Sequence, residues 1–232
     1  MTACSSVSVV DERENAALAP QSAPAALFVR PFQIAKGAQF DVASPAGKED
    51  PRISVARTMT EGVLSRGPRW IAPAKVLGEK DKTPAKGLLI EGSILRAAQG
   101  SRALRIGIGF GAGRTHLDTA VRVFNLDASS KKPWFTCKTT GGSNTEPGLI
   151  TSFVVPSAAL LPLVAGIAGG AVSSVAKGGK GVSQDAKRTG RVIAAVIHDR
   201  LAARGLVPRK AWPKRRGSVG TPAGEWNVPS LD

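Results

Sequence analysis

Three extended runs follow one another between residues 87 and 126, and they constrain the fold more than any other feature of the chain. They cover residues 87–96, 101–110 and 114–126, with short breaks between them. In the last run Leu117, Thr119, Val121 and Val123 occupy alternate positions, which gives the strand one apolar side. Strands joined by short connections pair in antiparallel fashion. The pattern therefore predicts a β-meander, and residues 133–140 supply a further strand.

Two helices and one more strand complete the predicted domain. Residues 51–66 carry Val55, Met59 and Val63 at helical spacing. A second helix is predicted from Ser183, as its N-cap, to Arg204, before Gly205. Residues 26–34 predict an interior strand, and residues 70–84 resemble a loop. The expected fold class is α+β, a single domain with an antiparallel or mixed sheet of about four to five strands and two helices packed on it.

The positive charge of the chain lies in this predicted domain. The chain of 232 residues has a net charge of +15. Residues 1–24 contribute −2 and residues 208–232 contribute +3, so residues 25–207 carry +14. A folded body of this charge favours attraction to an anionic surface, such as phosphorylated lipid, acidic glycan or nucleic acid, and the charge does not choose among them.

The first residues predict a lipid anchor. Small residues precede Cys4, as in the cleaved and acylated end of a bacterial lipoprotein signal, which this segment resembles. Cys4 would then carry the acyl group and residues 1–24 would form a flexible tether, while Ser5 fits outer-membrane sorting. The alternative is that Cys4 is an ordinary thiol in a mobile terminus. With Cys4 acylated, Cys137 is expected to be a buried structural thiol.

Several motifs, taken in order, resemble one bacterial lipoprotein family. These motifs are LIEGSI at 89–94, GSRALRIGIGFGAG at 100–113, GGSNTEPG at 141–148 and DAKRTGRVIAAVIHDRLAARG at 185–205. The family is known as domain of unknown function 4410. Its members are mostly exported lipoproteins with no established activity, so the resemblance implies export and acylation at Cys4 and implies no reaction.

No cluster of catalytic or metal-binding residues is predicted. The glycines at 107, 109, 111 and 113 stand between two strands, whereas a phosphate-binding loop needs a helix after the glycines. His116 and His198 are the two histidines of the chain, and their neighbours are ordinary. We therefore expect no enzyme activity, no cofactor and no metal.

An uncharged, Gly/Ala-rich insertion spans residues 149–176. Prolines divide it into pieces too short for a membrane-spanning helix. One hypothesis is a re-entrant hairpin or a self-association segment, and the alternative is a loop or a buried short helix. The residues assigned to a membrane or self-association role are Phe153, Leu160, Leu161, Gly166 and Gly170.

The last segment, residues 208–232, is basic and is expected to be disordered. Trp212 lies among five cations, which suits an anionic membrane or single-stranded nucleic acid. We predict a non-enzymatic outer-membrane lipoprotein that faces the periplasm and binds a partner or assembles with itself. Its expected partners are the membrane, through the lipid anchor, and anionic envelope components or further copies of the chain. The alternative is a cytoplasmic nucleic-acid-binding protein, which we regard as the weaker hypothesis.

Overall fold

The computed structural model of the chain describes residues 6–42, 49–78, 80–99, 115–142 and 180–209. These residues form one α+β domain with a mixed sheet, as predicted, although the sheet has seven strands and not four to five. The elements, in chain order, are β1 (Ser6–Glu14), a 3-10 turn (Ala16–Leu18), β2 (Leu27–Val29), β3 (Gln33–Asp41), α1 (Pro51–Leu64), α2 (Gly67–Trp70), β4 (Ala74–Val76), β5 (Leu88–Ala98), β6 (His116–Asn125), β7 (Phe135–Gly142) and α3 (Lys180–Ala203).

The predicted meander forms the centre of the sheet. β5 pairs with β6 and β6 pairs with β7, both in antiparallel fashion. Val121 lies opposite Gly92 on one side and Cys137 on the other. Its alternate neighbours Thr119 and Val123 are also buried, because the apolar side of β6 faces the helices. The strand predicted at residues 101–110 lies outside the described residues.

Parallel strands extend the sheet beyond β5. The single strand predicted at residues 26–34 is two strands, because β2 ends before Pro31 and β3 begins after Phe32. Proline has no N–H to donate to a ladder, which explains the break. Both strands pair with the same edge of β5, and β4 pairs with the outer edge of β2. β4 corrects the expectation that residues 70–84 are entirely a loop.

Both helices follow from local sequence. Asp50 caps α1 by accepting a hydrogen bond of 2.8 Å from the N–H of Arg52, and Pro51 occupies the first turn, where its missing N–H costs nothing. α3 begins at Lys180, three residues before the predicted cap, so that Ser183 is inside the helix. Gly205, with φ +72°, follows the end of α3 as predicted.

The two helices contact each other through backbone at a pair of glycines. A Cβ atom on Gly62 of α1 would overlap the carbonyl oxygen of Lys187, and one on Gly190 of α3 would overlap the carbonyl oxygen of Met59. Neither position has room for a side chain. The close approach brings α1 and α3 side by side on one face of the sheet and leaves the other flank of α1 uncovered by α3.

The N-terminal segment is a strand and not a flexible tether. Residues Ser6–Glu14 form β1, which pairs with β7 at the edge of the sheet. Val9 is buried, and Glu12 and Glu14 form ion pairs with Arg200 and Arg204 at the end of α3. The alternation of serine and valine at residues 6–9 is a period-two signal that the small-residue composition of the terminus concealed.

Candidate functional site

An apolar groove of about 470 Å³ lies between α1 and the strands β3 and β4. Its lining is formed by Pro31, Phe32, Ile34, Arg52, Ile53, Ala56, Arg57, Thr60, Glu61, Leu64 and Val76. Two of these residues are the exposed large apolar side chains of the described part of the chain, Ile53 at 57% and Val76 at 39% exposure. Exposed apolar side chains that gather in one concave surface are typical of binding sites.

α1 supplies one wall of the groove because it has two apolar stripes. The first stripe, which contains Val55, Met59 and Val63, is buried in the core. The second stripe follows from Ile53 through Ala56 and Thr60 to Leu64, and it lines the groove. A helix that packs on one side only needs the first stripe. The second stripe therefore leaves apolar surface in the groove, most of all at Ile53.

Phe32 forms the floor of the groove. Its ring packs directly on the backbone of Gly92, where a Cβ atom would overlap the ring. Its N–H donates a hydrogen bond of 3.3 Å to Oγ1 of Thr60. Glycine at position 92 thus lets the chain between β2 and β3 cross close to β5. This arrangement connects α1 to the sheet and determines the depth of the groove.

A polar cleft of about 490 Å³ lies on the other side of Phe32. There Glu91 accepts from two guanidinium groups, with Arg30 at 3.2 Å and Arg122 at 3.1 Å. Arg30 also donates to the carbonyl oxygen of Gly78 at 3.3 Å and to Oγ1 of Thr83 at 2.8 Å. Because Arg30 meets three different acceptors, we assign it to holding the segment around Gly78 against the sheet.

Asp118 lies on the same side of the sheet as this cleft, and its environment makes stability depend on pH. Burial raises the pKa of the Asp118 carboxyl above its usual value, and Arg96 and His116 offset part of that rise. The folded protein therefore favours the protonated acid. Protonation of Asp118 therefore contributes to the free energy of unfolding at low pH. This contribution is lost as the pH rises from the pKa of Asp118 in the unfolded chain to its raised pKa in the folded protein.

We predict that Asp118→Asn stabilises the protein more at pH 7 than at pH 3, because asparagine carries no charge to bury. Urea unfolding of the variant and of the unaltered protein at both pH values measures this effect. The difference between the two proteins at pH 3, where the carboxyl is protonated, is the control for the change of side chain. An equal difference in unfolding free energy at pH 3 and pH 7 would show that burial of the charge is not the cause.

The two histidines have different surroundings. His116 is exposed on β6. His198 is buried on α3, with Nε2 3.0 Å from the carbonyl oxygen of Pro208 and its ring 5.8 Å from that of Trp70. These contacts hold both α2 and the chain after α3 against α3. Among the described residues no group of three or more His, Cys, Asp or Glu side chains is placed to bind a metal ion.

A buried polar cluster fixes the start of α3 to the sheet. Oγ1 of Thr115 donates to the Asp185 carboxylate at 2.5 Å, and Arg188 donates to the same carboxylate at 2.9 Å. Thr189 lies one turn further along α3 with its hydroxyl buried, and a side chain at Gly141 of β7 would contact it. Sequence reasoning missed this cluster, because nothing along the chain marks Asp185 as buried.

The predicted sites fall on different parts of the chain. Cys137 lies buried in β7 as a thiol, as expected. Cys4 and the residues assigned to the insertion, Phe153, Leu160, Leu161, Gly166 and Gly170, lie outside the described residues, as does the tail beyond Arg209. No helix in the described ranges is long and apolar enough to cross a membrane.

The described residues that adjoin these segments nevertheless lie at the same end of the sheet. Ser6 of β1 pairs with Gly142 of β7, and Ala98 of β5 pairs with His116 of β6. Gly181, near the start of α3, lies beside Thr115. The chain thus leaves the described domain towards Cys4, towards residues 100–114 and towards both ends of the 149–176 insertion at the same end of the sheet.

Comparison with known families agrees with the resemblance of the motifs. Residues 72–205 match the family described as Domain of unknown function (DUF4410). The chain belongs to the DUF4410 family. The match extends from the residues just before β4 to the end of α3. It therefore includes the central meander and α3. No curated protein matches the chain.

Two solved structures are similar to this DUF4410 chain. The first is a PelC dodecamer from Paraburkholderia phytofirmans, with 8% sequence identity and a TM-score of 0.41 over 83% of this chain and 97% of that one. The second is a dodecamer of a single-substitution variant of PelC from the same organism, with 8% identity and a TM-score of 0.33 over 60% and 82% of the two chains. Similarities at these scores do not define a shared assembly.

Proposed function

We propose that this DUF4410 chain is a non-enzymatic lipoprotein of the cell envelope, anchored through Cys4 in the outer membrane and facing the periplasm. The observation that carries the proposal is the gathering of chain exits at one end of the sheet. Ser6 already belongs to β1, so only Ser5 separates an acylated Cys4 from the folded domain. An anchor there would hold this end of the sheet against the bilayer.

The uncharged insertion supports the same orientation. The chain that contains it leaves the described domain after Gly142 of β7 and re-enters it at Lys180, at the end of the sheet where β1 begins. A bilayer at this end would contact the one long uncharged segment of a basic chain. The high positive charge of the domain would in turn attract the anionic groups of the envelope. The role of the 149–176 insertion as a membrane or self-association segment stays part of this proposal.

The activity proposed for the domain is binding of a partner in the groove between α1 and the strands β3 and β4. The groove is concave and apolar, and Ile53 and Val76 expose apolar surface in it. The polar groups near it are engaged in structural contacts, as Glu91 is with Arg30 and Arg122. Burial of apolar area would drive the binding of a ligand to such a surface. No chemical activation of the ligand is needed.

Cell fractionation tests the anchor. The full chain should be recovered with the membranes of the organism that encodes it, and Cys4→Ser should abolish the incorporation of labelled palmitate into it. Cys137→Ser is the matched control, because it removes the other cysteine of the chain and should leave the protein labelled and with the membranes. Recovery of the unaltered chain in a soluble fraction would contradict the proposal.

The alternative function, nucleic-acid binding in the cytoplasm, predicts different behaviour in the same preparation. The net charge of +15 is the observation that favours it. A soluble cytoplasmic chain whose RNA or DNA affinity falls steeply with salt concentration would replace the envelope function with this one.

A further inference from the structure

A position for one more strand lies beside β3, and the groove follows it. β2 and β3 pair with the same edge of β5, and β4 lies next to β2. β4 ends at Val76, and the chain then turns away at Gly78, whose N–H donates to Asp81 at 2.7 Å. Within the described ranges β3 pairs with β5 alone, so its outer edge offers backbone donors and acceptors in line with β4.

The groove lies where the side chains of such a strand would point. Val76 marks the end of β4, Ile34 belongs to β3, and Ile53 and Ala56 belong to the wall formed by α1. Alternate side chains of a strand beside β3 would therefore face this apolar wall, while its backbone faces the edge of the sheet. Addition of a strand to a sheet edge, with neighbouring pockets for alternate side chains, is an established mode of peptide recognition.

The length of the position is limited. The register between β3 and β5 shifts between Ile34 and Gln39, and Gly37 has φ +79° within that interval. Regular pairing with the outer edge is therefore confined to the first part of β3, which is the part beside the groove. The ligand that fits is a short extended segment of about five residues, given the rise of a strand.

Charge favours an acidic partner over a second copy of the chain. Lys36 of β3 and Arg52 of α1 flank the position, and neither forms an ion pair with another described residue. The Arg52 guanidinium lies 5.5 Å above the ring of Phe40. Two copies that each carry +15 repel one another, whereas an acidic segment would be attracted to Lys36 and Arg52.

We propose that the groove and the edge of β3 that no described strand covers bind an extended, apolar and acidic segment of a partner protein as an additional strand. This inference rests on the proposed binding function and specifies its mode. It does not depend on the acylation of Cys4, so the purified full chain tests it separately from the membrane anchor.

The probe is a labelled synthetic peptide, acetyl-Glu-Thr-Val-Thr-Val-Thr-Glu-amide, in which glutamates and valines share one face and whose binding is followed by fluorescence polarisation. Two further peptides carry backbone N-methyl groups, on the valines in one and on the threonines in the other. Only one edge of an added strand bonds to β3, so we expect one methylated peptide to bind at least about tenfold more weakly and the other to keep its affinity. Replacing glutamate by lysine should also weaken binding.

Matched protein variants locate the site. Ile53→Asp removes an exposed apolar contact and adds a negative charge at the first turn of α1, where the fold tolerates it. It should lower the affinity for the parent peptide at least about tenfold. Gln184→Asp makes the same change of charge on the exposed side of α3 and should leave the affinity unchanged.

Three results would overturn the proposal. The first is no binding of the parent peptide at millimolar concentration, and the second is equal affinity of both methylated peptides. The third is self-association of the chain, seen by sedimentation velocity, that Ile53→Asp abolishes, because a second copy would then occupy the groove. None of these results would bear on the membrane fractionation of the chain or the palmitate labelling of its Cys4→Ser variant.

Discussion

Gly190→Ala should lower the free energy of unfolding by about 3 kcal/mol, because a methyl group at this position has no space between α1 and α3. The added Cβ would overlap the carbonyl oxygen of Met59, which is backbone of α1 and cannot rotate away. The two helices must separate locally. The buried stripe of α1, at Val55, Met59 and Val63, then loses contacts with the rest of the core. Gly62→Ala should act similarly, because its Cβ would overlap the carbonyl oxygen of Lys187.

Denaturant unfolding followed by circular dichroism measures the effect. Gln184→Ala is the control, since it places the same residue at an exposed position of the same helix and should change stability by no more than about 0.5 kcal/mol. The two glycines contact one another, so the double variant should lose less than the sum of the two single effects. If Gly190→Ala were as stable as the unaltered chain, α1 and α3 would not be in close backbone contact in solution.

Val9→Asp should destabilise the protein by about 3 kcal/mol, because it places an unpaired carboxylate among apolar side chains. Val9 is 6% exposed and pairs with Thr139 of β7 in the sheet. A segment that served as a flexible tether would tolerate the same substitution without loss. The variant therefore separates the strand found in the structure from the tether expected from composition.

Ser8→Asp is the matched control for the strand. Ser8 is next to Val9, pairs with Thr140, and is less buried than Val9, so the aspartate can reach solvent from it. The expected loss is under about 1 kcal/mol, measured by the same unfolding experiment. Equal stability of both variants would mean that residues 6–14 do not belong to the sheet in solution.

The elements that were predictable are those whose own residues carry a period. Alternation along β6 and the spacing of Val55, Met59 and Val63 in α1 gave both elements within a few residues, because each buries one side against the same core. β1 carries the same signal in fewer residues, and its small side chains made the composition resemble a linker. The split between β2 and β3 follows from Pro31, which a strand pattern alone does not reveal.

The candidate site was not predictable, because it joins residues that are far apart in the chain. Ile53 and Val76 are ordinary surface residues when each is taken alone, and only the packing of α1 beside β3 and β4 makes them one groove. The same is true of Glu91, which pairs with Arg30 and Arg122 from two other strands or loops.

The most direct test of the account is the mass of the N-terminal peptide of the protein isolated from the organism that encodes it. We predict that the mature chain starts at Cys4, with a diacylglyceryl group joined to the sulfur by a thioether. Ser5 and the first residues of β1 would then follow Cys4 in that peptide. A peptide that keeps the residues before Cys4 and carries an unmodified thiol would contradict this prediction.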